Sequence, residues 1–222
     1  MEGEVSEGLD PGPARAQPAC ISTFRQIDNK LHLRLDSYAV ASEKKDRLKR
    51  ILLENSILRG KFTLASGKES DYYIDARLTT LHPEGVSLVA EIFLGEIRRD
   101  PLIDTVGGPT MGADPIVGSL LATSQRENYP LKGFLVRKQE KGHGTGKLIE
   151  GNLKPGDNTG VVEDVVTSGG SVITAIDAVR SSGALVRKVL VVVDREEGAA
   201  ERIKDMGIEF YSIFKISELL GS

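Results

Sequence analysis

The stretch VVEDVVTSGGSVITAIDAVR, residues 161–180, leaves few options for a chain that carries it. Its opening run is short, β-branched and apolar without alternation, which predicts a strand buried on both faces of a parallel sheet. Five small residues follow (Thr167, Ser168, Gly169, Gly170 and Ser171), and then Val172, Ile176 and Val179 recur at helical spacing. Strand, glycine turn and helix start together make a phosphate cradle. Backbone N–H groups converge, the helix dipole adds partial positive charge, and glycine permits close approach. An acid pair, Glu163–Asp164, ends the strand just ahead of the turn. Two carboxylates there would repel a bare phosphate unless they face hydroxyls or a metal on the same ligand. A phosphorylated sugar supplies both ends of that arrangement.

The rest of the chain agrees with a sheet of this kind. From residue 102 strands alternate with helices: LIDTVGG, ADPIVGSLLATS, LKGFLVR, the 161–180 stretch, VRKVLVVVD, EGAAERIKDMG and IEFYSIF. Such alternation predicts βαβ units and an α/β fold, with ligands at the carboxyl ends of the strands. Upstream, residues 61–77 read as two short strands around a Ser66–Gly67–Lys68 turn. A helix with Pro83 in its first turn then carries Val86, Val89, Ala90, Phe93 and Ile97 on one stripe. Ser42 is the expected N-cap of a first helix with Leu48, Ile51, Leu52 and Asn55 on one face. The folded domain is therefore expected over residues 41–222. Residues 1–40 form an extension, disordered over its acidic, Pro/Gly-rich first twenty and without assignable period thereafter.

Composition narrows the classes. A chain of 222 residues that is 40% hydrophobic fits one ordinary α/β domain. A net charge of −3 gives no support for whole-surface binding to nucleic acid. No apolar run suits a membrane helix and no signal peptide opens the chain, so a cytoplasmic protein is expected. The lone Cys20 excludes an internal disulfide.

Three further segments are polar where a plain connection need not be. GGPTMGADP, residues 107–115, follows a strand ending at Val106. Gly107 and Gly108 would let the backbone turn and offer N–H groups to a second anion, or merely make a structural turn. RKQEKGHGTGK, residues 137–147, carries Arg137, Lys138, Lys141, Lys147 and His143 among glycines that deny it a stable helix or strand. It reads either as a solvated surface loop or as a flexible basic loop closing over a polyanion, with His143 able to move a proton near neutrality. LASGKESDYYIDAR offers Lys68 and the flat rings of Tyr72 and Tyr73, which equally suit half-buried strand positions. Arg195 adds a cation after the strand VLVVVD.

Taken together these residues resemble a family. The acid pair with TSGGS looks like the 5-phosphoribosyl 1-diphosphate (PRPP) motif of type I phosphoribosyltransferases. The RKxxKxH loop, the SGKxSxYYxD segment and DREEG resemble orotate phosphoribosyltransferase from about Arg47 to the C-terminus. The resemblance implies the type I phosphoribosyltransferase fold, a central, mostly parallel sheet flanked by helices with a small N-terminal hood subdomain. It implies transfer of the 5-phosphoribosyl group from PRPP to orotate. Glu163, Asp164, Val165, Val166 and Thr167–Ser171 would form the PRPP stretch. In it Glu163 and Asp164 meet the ribose hydroxyls, and Thr167, Ser168, Gly169, Gly170 and Ser171 the 5′-phosphate. Arg137, Lys138, Lys141 and His143 would bind the diphosphate, and Lys68 would bridge the two substrates. Tyr72, Tyr73, Thr167 and Arg195 would bind orotate. Lys68, Lys141, His143 and Asp164 would carry catalysis. Mg²⁺ would be held through PRPP and not by direct protein ligands. A homodimer is also implied, with the 137–147 loop reaching the partner subunit's site. One departure stands out: some members carry a Tyr-Lys pair where this chain has Met111 and Gly112, so that subsite would rely on backbone N–H groups.

Two other readings compete. A phosphoribosyltransferase for another base would share the cradle but not need Lys68 with the tyrosines, or Arg195 to meet a carboxylate. A PRPP-sensing regulator would keep the cradle and lose catalysis, but it would not need the basic loop.

Overall fold

Six strands form one sheet in the order β5-β4-β3-β6-β7-β8, and two more make a separate antiparallel hairpin, β1–β2. The computed structural model describes residues 40–63, 69–138 and 148–221. The expectations for residues 1–39, including Cys20, lie outside the described residues. So do Lys68, Lys141, His143 and the Ser66–Gly67–Lys68 turn. Residues Ala41–Ser222 cluster as one compact unit.

In the sheet, β3 (Thr105–Pro109), β4 (Lys132–Val136), β6 (Asn158–Val166), β7 (Leu185–Asp194) and β8 (Glu209–Lys215) run parallel. The short edge strand β5 (Ile149–Gly151) pairs antiparallel with β4. Sequence reading gave β5 no place, because three residues are too few to show a period.

The apolar strands are buried on both faces, and their alternate residues feed two cores. Val162, Leu190 and Val192 pack with Phe93, Ile97, Ile116 and Leu120 on one face. On the other, Val161, Val189 and Val191 pack with Val172, Ile176, Val179 and Ile203. The first layer is built by α1 (residues 40–55), α3 (Pro83–Ile97) and α4 (Ala113–Arg126), and the second by α5 (Gly170–Ser181) and α6 (Ala199–Asp205). Each such side chain, fully buried, stabilises the fold by about 1.5–3 kcal/mol. Short helices α2 (Arg77–Thr80) and α7 (Ile216–Leu220) complete the set. Lys188 is among the charged residues buried within this frame: on β7 it is 1% exposed, its Nζ 2.9 Å from Glu209 and donating to the Glu96 carbonyl at 3.3 Å.

Two local expectations are corrected. The first helix is already under way at Val40, so Ser42 lies inside it and is not its N-cap. Leu48, Ile51 and Leu52 are buried as expected, but Asn55 is exposed. Gly107 and Gly108 belong to β3 and do not form a turn. A side chain on Gly107 would strike the Phe134 carbonyl, and one on Gly108 the Val162 carbonyl. The squeeze between neighbouring strands, not a change of direction, calls for glycine there. Among the described residues no helix is long and apolar enough to cross a membrane.

Candidate active site

The cradle stands at the carboxyl end of β6, the sheet's interior strand between β3 and β7. Val161 and Val162 are fully buried in β6, and Val172 and Ile176 fully buried in α5, so both arms are held rigidly. Between them Thr167, Ser168, Gly170 and Ser171 are exposed, while Gly169 is buried and caps α5 in the left-handed region at φ 81°. A Cβ on Gly169 would stand 3.2 Å from that of Ala199. The first turn of α5 has amides with no intrahelical acceptor, aimed out of the sheet end where the helix dipole is positive.

Beneath the cradle lies the acid pair. Glu163 is 5% exposed. Its Oε2 accepts the Ser171 hydroxyl at 3.2 Å, and its Oε1 accepts the Asp164 amide at 3.2 Å. Burial, and then the neighbouring Asp164 charge, push the Glu163 carboxyl up to about 9. Asp164 is half-buried, with Oδ1 accepting the Val165 amide at 2.7 Å. The two acids therefore differ: Asp164 faces outward, and Glu163 ties the strand end to the cradle.

Gly112, at the N-cap of α4, closes over this pair. A Cβ there would fall inside contact with Glu163 Oε1 and 2.5 Å from Asp164 Oδ1. Its neighbour Met111 is 65% exposed. In the first turn of α4, Asp114 has Oδ1 buried without a hydrogen-bond partner among the described residues, and burial raises its carboxyl above the usual range.

The basic segment approaches from β4. Arg137, Lys138, Pro109, Ser171 and Thr174 line one cavity of about 250 Å³, which brings the first two cations of the segment to the cradle. The Arg137 amide donates to the Leu148 carbonyl at 2.9 Å, and its guanidinium reaches Glu150 at 3.4 Å.

A third group assembles where the hairpin of β1 (Ile57–Thr63) and β2 (Glu69–Ile74) meets the loop after β7. The Arg195 guanidinium lies 5.2 Å from the centroid of the Tyr72 ring, a cation–π contact between residues far apart in the chain. Arg195 is 11% exposed, pairs with Glu197 at 3.1 Å, and leaves its buried Nε without a partner among the described residues. Tyr73, next along β2, points to the other face of the hairpin. It is 40% exposed and tilts against Phe62 at 5.7 Å. The two tyrosines that sequence reading grouped are thus separated, and only Tyr72 joins Arg195.

Sequence reading missed two participants. Arg77 is fastened to Asp75 at 2.8 Å through both Nε and Nη2. It is held above its ordinary value first by that hydrogen bond and then by Asp75's charge, with Asp164 adding a smaller share. The Asp-x-Arg spacing directly after β2 was its available signal. Gly112 was noticed only as a missing lysine; nothing in the sequence announces that carboxylates crowd it.

No family model matches the chain. The orotate phosphoribosyltransferase of Rhodopseudomonas palustris is 45% identical over 184 residues, covering 81% of this chain and 98% of its own length. Among solved structures, the orotate phosphoribosyltransferase of Mycobacterium tuberculosis bound to Fe(III) dicitrate superposes with a TM-score of 0.70 at 38% identity, covering 79% of this chain and 98% of that one. The same enzyme in complex with PRPP gives a TM-score of 0.67 at 35% identity, with the same coverage.

Proposed function

Because the chain belongs to the orotate phosphoribosyltransferase family, we propose that it transfers the 5-phosphoribosyl group of PRPP to orotate. The products are orotidine 5′-phosphate and diphosphate, in the formation of pyrimidine nucleotides. The observation that carries the acceptor assignment is Arg195 stacked on Tyr72 with Nε unpartnered. A flat ring bearing a carboxylate suits a cation beside an aromatic face. A base without a carboxylate would leave that guanidinium with only Glu197.

The site residues divide the work. The amides of Thr167–Ser171 hold the 5′-phosphate, and Glu163 and Asp164 receive the ribose hydroxyls. Arg137 and Lys138, with Lys141 and His143 from beyond the described residues, neutralise the diphosphate. Lys68, also outside them, bridges the substrates. Arg195 and Tyr72, with Thr167, seat orotate, while Tyr73 lies on the other face of the hairpin. The bond from C1′ to the diphosphate oxygen breaks and C1′ gains oxocarbenium character. A ring nitrogen of orotate then bonds to C1′ from the opposite face, inverting it, and releases its N–H proton to solvent. Positioning and charge neutralisation supply most of the acceleration, since little covalent help is needed. The Asp164 carboxylate favours the positive charge that develops on the sugar.

Among the described residues no three His, Cys, Asp or Glu side chains group closely enough to hold a metal ion. Mg²⁺ keeps several waters and binds mainly through substrate phosphates, and Asp164 is the open carboxylate nearby. When bound, Mg²⁺ would offset charge on the diphosphate. We further infer a cytoplasmic homodimer in which the 137–147 loop reaches the partner subunit's site, while Arg137 and Lys138 at its base stay beside the chain's own cradle.

The test is loss of orotate absorbance on adding PRPP and Mg²⁺. Turnover with another base but none with orotate would sink the acceptor assignment and leave the PRPP reading standing. For the dimer, Lys141→Ala and Arg195→Ala preparations, each impaired on its own, are mixed at an orotate concentration well below the raised KM. Recovered activity is expected, and none would refute loop sharing.

A further inference from the structure

The start of α4 rests directly on the acid pair, and it does so at a residue whose backbone has no need of glycine. Gly112 has right-handed helical torsions, φ −60° and ψ −41°, which any residue adopts. What calls for glycine is space. A single methyl would fall inside contact with Glu163 Oε1 and 2.5 Å from Asp164 Oδ1. Glu163 has little room to retreat: it is 5% exposed and held by the Ser171 hydroxyl and the Asp164 amide, both at 3.2 Å. A side chain at position 112 would therefore be accommodated by swinging the carboxylates. Through Ser171 the same movement would reach the phosphate cradle.

We propose that Gly112 is a positioning residue, whose bare Cα fixes where Glu163 and Asp164 present their oxygens to the ribose. This rests on the reading that the acid pair receives the ribose of PRPP. The positive end of α4 reinforces the arrangement, since it favours carboxylates beside it. The chain thus uses the helix start itself where a longer side chain at 112 would stand between α4 and the acids.

The experiment compares Gly112→Ala and Gly112→Lys with Asp164→Asn by steady-state kinetics in each substrate and by thermal unfolding. Alanine suits a right-handed helical position, so both variants should fold, with Tm within about 3 °C of the parent. The expected result is a fall of about 10²-fold in kcat/KM for PRPP in both Gly112 variants, the cost typical of a misplaced site. The KM for orotate should stay within about twofold, a split that a general loss of folding would not produce. Parental kcat/KM for PRPP in Gly112→Ala, with Asp164→Asn impaired, overturns the proposal. So does a Gly112→Lys enzyme markedly better than Gly112→Ala, because a missing cation would then be the deficit. A Tm loss beyond about 10 °C with activity lost for both substrates would make Gly112 a packing residue and also overturn it. If Asp164→Asn itself leaves PRPP kinetics unchanged, the acid-pair reading falls and takes this inference with it.

Discussion

The proposed donor and acceptor sides of the site are built on opposite plans. The donor cradle is exposed backbone held between two buried arms: Thr167, Ser168, Gly170 and Ser171 are open, while Val161, Val162, Val172 and Ile176 are fully buried. The acceptor side is side-chain recognition on a mostly exposed hairpin. Of β1 and β2 only Ile74 is buried, and the pairing register slips between Arg59 and Phe62. Where amides do the binding, the side chains need only hold the backbone still. Where side chains do it, specificity arises from contacts between distant segments, such as Arg195 on Tyr72. The donor site should therefore be strict in shape, and the acceptor site adjustable.

Substitutions should separate the two plans. The largest effect is expected for Gly169→Val. A branched residue at φ 81° costs about 1–3 kcal/mol, and its Cβ would crowd Ala199. Tm should drop by several degrees and kcat/KM for PRPP by about 10²-fold. Unchanged PRPP kinetics would mean that the turn does not hold the phosphate. Next, Arg195→Ala removes a charge-assisted contact of about 1.5–3 kcal/mol. The KM for orotate should rise by roughly 10- to 100-fold with PRPP binding nearly untouched. An equal effect on both substrates would erase the distinction between the two sides.

The last effect is read in stability and concerns the buried acid. A carboxyl at about 9 in the folded chain and 4.5 unfolded takes up a proton on folding between those pH values. Its contribution to stability is complete below about 4.5 and is lost progressively as pH rises towards about 9, because the unfolded chain then binds fewer protons. The Tm of Glu163→Gln relative to the parent should rise steadily from pH 5 to pH 9. Parallel Tm profiles would show that Glu163 ionises normally.

How far these features could be read from the chain depends on how local they are. The β6–turn–α5 unit was legible because each part depends on neighbours in sequence: a β-branched run, a small-residue turn, a helical period. The order of strands and helices followed for the same reason. Gly107 and Gly108 were misread because the pressure on them comes from β4 and β6, which no local pattern reports. Tyr72 and Tyr73 were grouped as adjacent residues, but a strand sends adjacent side chains to opposite faces. The crowding of Gly112 against Glu163 and Asp164 joins two distant segments, the start of α4 and the end of β6, and is invisible without them.

Lys188 offers a different use of the fold. Its amine is sealed beneath the sheet between Glu209 and the Glu96 carbonyl, while most lysines among the described residues stand at least partly open to water. An acylating reagent would label those within the native state but reach Lys188 only when β7 separates from its neighbours. Its labelling rate would thus act as a clock for global opening, set against the surface lysines of the same molecule.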